Sequence, residues 1–168
     1  MNKRTLIIAI IALILDQVTK ILASSLLSLS QSVKLIKNFF YLTLCHNTGA
    51  AWGILNKYPI ILIFLSLIAI VIIYHFMFSY KNNLRNNLAF GIIFGGLVGN
   101  LIDRLIFGYV IDFFDFYIFK YDYPVFNVAD ICIVIGVILI IISTIKGDDK
   151  NESNSNRRGR KTRQVSSK

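Results

Sequence analysis

Four apolar stretches, each about as long as a helix that crosses a bilayer, constrain this chain more than anything else in its sequence. They run from about Thr5 to Leu27, Pro59 to Phe78, Leu88 to Phe107 and Asn127 to Ile145. Crossing a hydrocarbon core of about 30 Å takes roughly 20 residues. Within that core every backbone N–H and C=O must be satisfied inside the segment, which selects helix. The composition agrees, with 55% hydrophobic and only 16% charged residues, where a soluble domain carries about 25% charged. The expected fold class is an α-helical integral membrane protein with four transmembrane helices and a small extracytoplasmic β-rich loop. The first stretch follows Lys3 and Arg4 as a signal peptide would. Asp16 and Lys20 interrupt it and no small-residue cleavage site follows, so it reads as a retained span.

Orientation follows from basic residues near the span ends. Lys3, Arg4, Lys81, Arg85 and the tail fall on one side, against Lys34, Lys37, Lys57 and Lys120 on the other. Both termini are therefore expected in the cytoplasm, with loops 28–58 and 108–126 outside. The first loop is rich in β-branched and aromatic residues and predicts a small sheet. The second, mixing aromatics with aspartates, is expected to lie along the same interface. Residues 1–146 form the membrane domain on this reading, and 147–168 a basic, disordered cytoplasmic tail. Net charge is +9, but eight of the 18 basic residues lie from Lys146 onward. A basic tail after a span reads as an orientation signal and a partner for anionic membrane lipid, with no nucleic acid partner. Cys45 and Cys132 are too few for a disulfide framework. No HExxH and no metal-type cluster is present, so neither a metal nor another cofactor is expected.

Six aspartates interrupt or flank these apolar runs: Asp16, Asp103, Asp112, Asp115, Asp122 and Asp130. A carboxylate at the bilayer centre costs about 2.5–3.5 kcal/mol on insertion scales, so such residues are generally paired or functional. Asp16 and Lys20, at i and i+4, can pair on one helix face. HNTGAAWG, residues 46–53, offers Asn47 and the small residues Gly49, Ala50 and Ala51, where an extended chain can dock by strand addition. It reads equally as an ordinary turn. In GGLVGNLIDRL, Asn100, Asp103 and Arg104 share a helix face after three glycines suited to close packing. An Asp–Arg pair or a packing clamp accounts for them. Asp112 sits among valine, isoleucine and phenylalanine, where desolvation raises a carboxyl pKa. Asp115 reads as well as a solvated interfacial residue. Asn127 can cap the fourth helix, which does not account equally well for Asp130.

Under this topology Asp16, Lys20, Asn100, Asp103, Arg104, Asp112, Asn127 and Asp130 share the outer depth. Convergence at one depth points to one site. Two carboxylates held close share a proton, so one can activate water while the other protonates a carbonyl oxygen. The residues alone leave Asp103 and Asp112 as alternative partners for Asp130. A proton-coupled transporter or a non-enzymatic scaffold subunit are the competing readings. A transporter would spread charges through the membrane depth.

At this point the chain resembles the bacterial signal peptidase II family, the lipoprotein signal peptidases. The resemblance is carried by Asp16 with Lys20, Asn47-Thr48-Gly49-Ala50-Ala51, Gly99-Asn100 with Asp103-Arg104, Val110-Ile111-Asp112-Phe113 and Phe126-Asn127-Val128-Ala129-Asp130. It implies an intramembrane aspartic endopeptidase that removes signal peptides from diacylglyceryl-modified prolipoproteins, cutting before the lipid-bearing cysteine. It implies Asp112 and Asp130 as the catalytic pair. Asp16, Lys20, Asn47, Gly49, Asn100, Asp103, Arg104, Asn127 and Ala129 become supporting or substrate-binding positions. Inhibition by a globomycin-type cyclic peptide is also implied.

Overall fold

The computed structural model describes residues 1–49, 54–118 and 121–148. Four long apolar helices are found: α1 (Lys3–Leu26), α2 (Pro59–Met77), α3 (Leu84–Phe107) and α4 (Val128–Ile145). Each is long and apolar enough to span a membrane. The third begins four residues earlier than the hydropathy predicts. Asn83 is its N-cap, its side chain accepting the Asn86 N–H, and capping extends a helix past the apolar boundary into polar sequence.

α3 is the central helix. Buried residues make up 56% of its most apolar window, against 22%, 11% and 22% for α1, α2 and α4. The reason lies in its glycines. A Cβ built at Gly95 would lie 2.6 Å from Ala12 Cβ, and one at Gly99 would collide with the Asp16 carboxylate. Small residues let helix backbones approach closely where no hydrophobic effect drives association. On α1 the matching stripe is Thr5, Ala9, Ala12, Asp16, Lys20 and Ala23, all buried. Its spacing of three or four residues keeps the stripe on one face.

At one end of the bundle the chain forms a four-stranded antiparallel sheet in the order β1-β2-β3-β4. The strands are β1 (Ser32–Ile36), β2 (Phe40–Asn47), β3 (Val110–Ile118) and β4 (Tyr121–Asp122). The expected β-rich loop is thus present in the first connection. The second connection supplies β3, an inner strand of the same sheet. Leu44, Ile111 and Phe113 pack with Ala23 of α1 and fix the sheet to the helices. Gly108 (φ 78°) ends α3 in the left-handed region, which glycine enters without a Cβ penalty. That turn leads directly into β3.

At the opposite end Asp148 accepts hydrogen bonds from Asn83 and Arg85. Gly147 and Asp148 therefore belong to the folded body. The rest of the expected 147–168 tail, from 149 onward, lies outside the described residues, as do Ala50, Ala51, Trp52, Gly53 and the side chain of Asp122.

Candidate active site

The site is assembled where the C-terminal end of α3, the start of β3 and the N-terminus of α4 meet. Its foundation is Lys20, 1% exposed. The ammonium lies 2.8 Å from Asp16 Oδ2, 2.8 Å from Asp103 Oδ2 and 2.9 Å from Asn100 Oδ1. An ammonium has three donors, and all three are used. The expected Asp16–Lys20 pair is present. The expected Asp103–Arg104 pair is not, because Asp103 faces α1 and pairs with Lys20.

Both carboxylates of this cluster also hold backbone. Asp16 Oδ1 accepts the Ala129 N–H at 2.9 Å, tying the first turn of α4 to α1. Asp103 Oδ2 accepts the Ile111 N–H at 3.2 Å, tying β3 to α3 one residue before Asp112. Gln17, which the sequence reading passes over, donates to Asp16 Oδ2 and Asp103 Oδ1 at 3.2 and 3.0 Å. Its signal was present: it is another polar residue in an apolar run, beside Asp16.

Lys20 also orients the Asn100 amide. With Oδ1 facing the ammonium, Nδ2 points the other way and donates to Asp130 Oδ1 at 2.9 Å. Asn127 is fixed by similar logic. It is the N-cap of α4, its Oδ1 accepting the Asp130 N–H at 3.0 Å, while Asp130 Oδ2 accepts the Asn127 N–H at 3.2 Å. This is a capping box, so capping accounts for Asp130 as well as Asn127. It also leaves Asn127 Nδ2 pointing at Asp112 Oδ1, 2.7 Å away. Asn47 Nδ2 donates to the other oxygen, Asp112 Oδ2, at 2.9 Å.

Asp112 and Asp130 therefore share Asn127 and border one cavity of about 300 Å³, with Asn47, Asn100 and Arg104 in its lining. Each carboxylate is held by neutral amides. Among the described residues neither forms an ion pair. Desolvation, then the nearby charge of Asp130, pushes the Asp112 carboxyl up to about 7. The amides of Asn47 and Asn127 and the Lys20 charge pull it down by less. Arg104 reaches the Gly49 carbonyl at 3.4 Å and the Asn100 carbonyl at 3.5 Å, and its buried Nε has no partner among the described residues. Its guanidinium is thus only loosely committed. Gly49 is anchored by donating its N–H to Asn47 Oδ1 at 3.0 Å.

Asp115 corrects the sequence reading. It is 4% exposed and accepts a hydrogen bond from Thr43, so it is not a solvated interfacial residue. Asp130 also borders an apolar groove of about 390 Å³ lined by Phe116, Ile118, Tyr123, Phe126, Ile131, Val134 and Ile135. Among the described residues, no three His, Cys, Asp or Glu side chains converge as a metal would need.

The family profile described as "Signal peptidase (SPase) II" matches residues 8–146. A lipoprotein signal peptidase of Staphylococcus haemolyticus (strain JCSC1435) is 43% identical over 149 residues, covering 88% of this chain and 94% of that protein. One from Staphylococcus aureus (strain JH9) is 41% identical over 143 residues, covering 84% and 88%. A solved structure described as "Bacterial membrane enzyme structure by the in meso method at 2.3 A resolution" superposes with a TM-score of 0.75 at 39% identity, covering 84% of this chain and 87% of that one. The match of profile, sequence and fold over the whole four-helix body, including the segments that build this cavity, makes the chain a bacterial membrane protein of the signal peptidase II family.

Proposed function

We propose that this chain is an aspartic endopeptidase working within the membrane, with Asp112 and Asp130 as the catalytic pair. The observation that carries the reading is the single cavity bordered by both carboxylates, each held by amides and neither neutralised by a cation. Two close carboxyls in such surroundings retain one proton between them. The ionised member takes a proton from water as the water attacks the scissile carbonyl. The protonated member gives its proton to the carbonyl oxygen. Collapse of the tetrahedral intermediate then breaks the C–N bond, and the leaving amine takes up a proton. Asn47, Asn100 and Asn127 aim the two carboxyls, while the Lys20 cluster with Asp16, Asp103 and the Ala129 N–H holds the elements that carry them.

The substrate class is the diacylglyceryl-modified bacterial prolipoprotein, cut before its lipid-bearing cysteine. The names of the relatives support the prolipoprotein, and the apolar groove beside Asp130 supports a greasy occupant. The signal peptide unwinds at the cavity, where Arg104 and Gly49 meet its backbone, while the lipid stays in the bilayer. Both termini are cytoplasmic and the site lies near the outer leaflet, since this orientation keeps the basic ends inside. A globomycin-type cyclic peptide occupies the same cavity.

The test is incubation of the purified protein in detergent with a diacylated prolipoprotein. The expected result is a shortened product suppressed by globomycin and absent with Asp112→Asn or Asp130→Asn. Cleavage by either variant removes that residue from the chemistry.

A further inference from the structure

β2 and β3 pair in two blocks. Phe40, Tyr41 and Leu42 oppose Phe116, Asp115 and Phe114, and Cys45, His46 and Asn47 oppose Asp112, Ile111 and Val110. Between the blocks β2 has two residues, Thr43 and Leu44, against the single residue Phe113. This is a β-bulge, which re-aims the side chains beyond it.

The consequence for Asp112 is one of parity. Side chains alternate between faces, so one extra residue moves everything after it to the other face. In an unbroken ladder Leu44 would oppose Asp112 and His46 would be its diagonal neighbour on the same face. With the bulge, Cys45 opposes Asp112 and Asn47 takes the diagonal place, within reach of a side chain. His46 is sent to the far face, where it stacks on Tyr109 with ring centroids 3.9 Å apart. The bulge therefore decides that an amide donor, not an imidazole, meets the Asp112 carboxylate.

One row of side chains crosses the sheet at the bulge. Thr43 Oγ1 lies 2.5 Å from Asp115 Oδ2 on β3 and 3.0 Å from Ser32 Oγ on β1. A hydroxyl has one proton. Thr43 is therefore the shared donor, giving its proton to Asp115 Oδ2 or to Ser32 Oγ one at a time. The row links three strands at the position where the ladder is interrupted. Its carboxylate is buried with Oδ1 unpartnered among the described residues, a cost that packing alone gives no reason to bear.

We infer that Ser32, Thr43 and Asp115 are positioning residues that pin this bulge and so select Asn47 as the partner of Asp112. The inference rests on the proposed role of Asp112. Asp112 is faced by Asp130 from α4, Lys20 from α1, Arg104 from α3 and Cys45 from β2, and Asp103 holds the adjoining Ile111 N–H. Cys45 also feels the charge of Asp115, so Thr43→Val, which removes no charge, isolates the hydroxyl row.

The experiment compares Thr43→Val, Asp115→Leu, Asn47→Leu and the double variant Thr43→Val/Asn47→Leu in cleavage of a lipid-modified precursor across pH. Thr43→Val and Asp115→Leu are expected to lower kcat about tenfold, the size of one hydrogen bond to a charged group, with KM little changed. Removing the Asn47 amide disfavours the ionised form of Asp112, so the alkaline fall in rate moves to higher pH. Thr43→Val and Asp115→Leu should move it the same way. The double variant should be no worse than Asn47→Leu, and Thr43→Ser should restore the parental profile. Independent, additive effects at Thr43 and Asn47, or a parental pH profile in both Thr43→Val and Asp115→Leu, would overturn the clamp. Asp112→Asn separates the two levels. If it still cleaves, the role of Asp112 fails and the clamp with it. If it is inactive while Thr43→Val and Asp115→Leu are both parental, only the clamp fails.

Discussion

Two acidic clusters lie side by side in this protein and are built on opposite terms. In one, Asp16 and Asp103 flank Lys20, and every donor of the ammonium is taken. In the other, Asp112 and Asp130 receive only neutral amide donors, and the nearest guanidinium, Arg104, makes only long contacts to carbonyls. A neighbouring ammonium favours the charged form of a carboxylate. An amide donor steadies it without cancelling its charge, so two such groups facing one cavity can trade a proton. On the proposed function the first cluster is a joint and the second a reagent, although the carboxylates are the same.

Substitutions that remove one charge at a time should separate them most sharply. Asp112→Asn or Asp130→Asn is expected to reduce cleavage by a factor of about 10³ or more, at the upper part of what acid–base catalysis contributes. Product formation from a lipid-modified precursor is the measurement, and thermal unfolding in detergent should show the fold kept. Lys20→Met should do the reverse. Removing one partner of a buried ion pair costs about 3–5 kcal/mol, so its unfolding temperature should drop steeply. Adding Asp16→Asn and Asp103→Asn to Lys20→Met should recover much of that loss. If Lys20→Met keeps its stability and loses only activity, the division between joint and reagent is wrong. Arg104→Met comes next. Its weak contacts predict little change in stability and a KM raised about tenfold, the mark of a group that binds substrate.

The same contrast explains what the sequence discloses. The spans were legible because a bilayer permits only long apolar helices, and Asp16 with Lys20 because i and i+4 fall on one helix face. The sequence also singled out Lys20, Asn100, Asp103, Asp112, Asn127 and Asp130, which come together in space. Their allocation was not legible. Asp103 and Asp112 look alike in sequence, and what separates them is that Asp103 projects from α3 toward Lys20 while Gly108 turns the chain so that Asp112 meets Asn127. Asp115 was misread because its burial comes from strand pairing across 72 residues of chain, which no local pattern carries. Gln17 and the bulge at Thr43 were missed for the same reason. Each depends on a neighbour supplied by tertiary structure.

A last test uses pH, to which the two clusters should respond differently. The Asp112 carboxyl is raised from 3.8 to about 7, first by burial and then by the charge of Asp130. The unfolded chain loses that proton near pH 4 while the folded chain keeps it to about 7. In that window the folded state binds more protons, so stability falls as pH rises and levels off above about 7. Cleavage should follow the same limit, because the working pair holds one proton and loses it on the alkaline side, with an apparent pKa that belongs to the pair. The unfolding temperature in detergent should therefore decline by a few degrees between pH 5 and pH 8, roughly the scale of 1 kcal/mol or more in a protein of this size. Asp112→Asn should lessen that decline, since the pair shares the proton. If the decline persists in both Asp112→Asn and Asp130→Asn, some other group in the fold carries the proton, and the amide-held pair is not the one set apart by its surroundings.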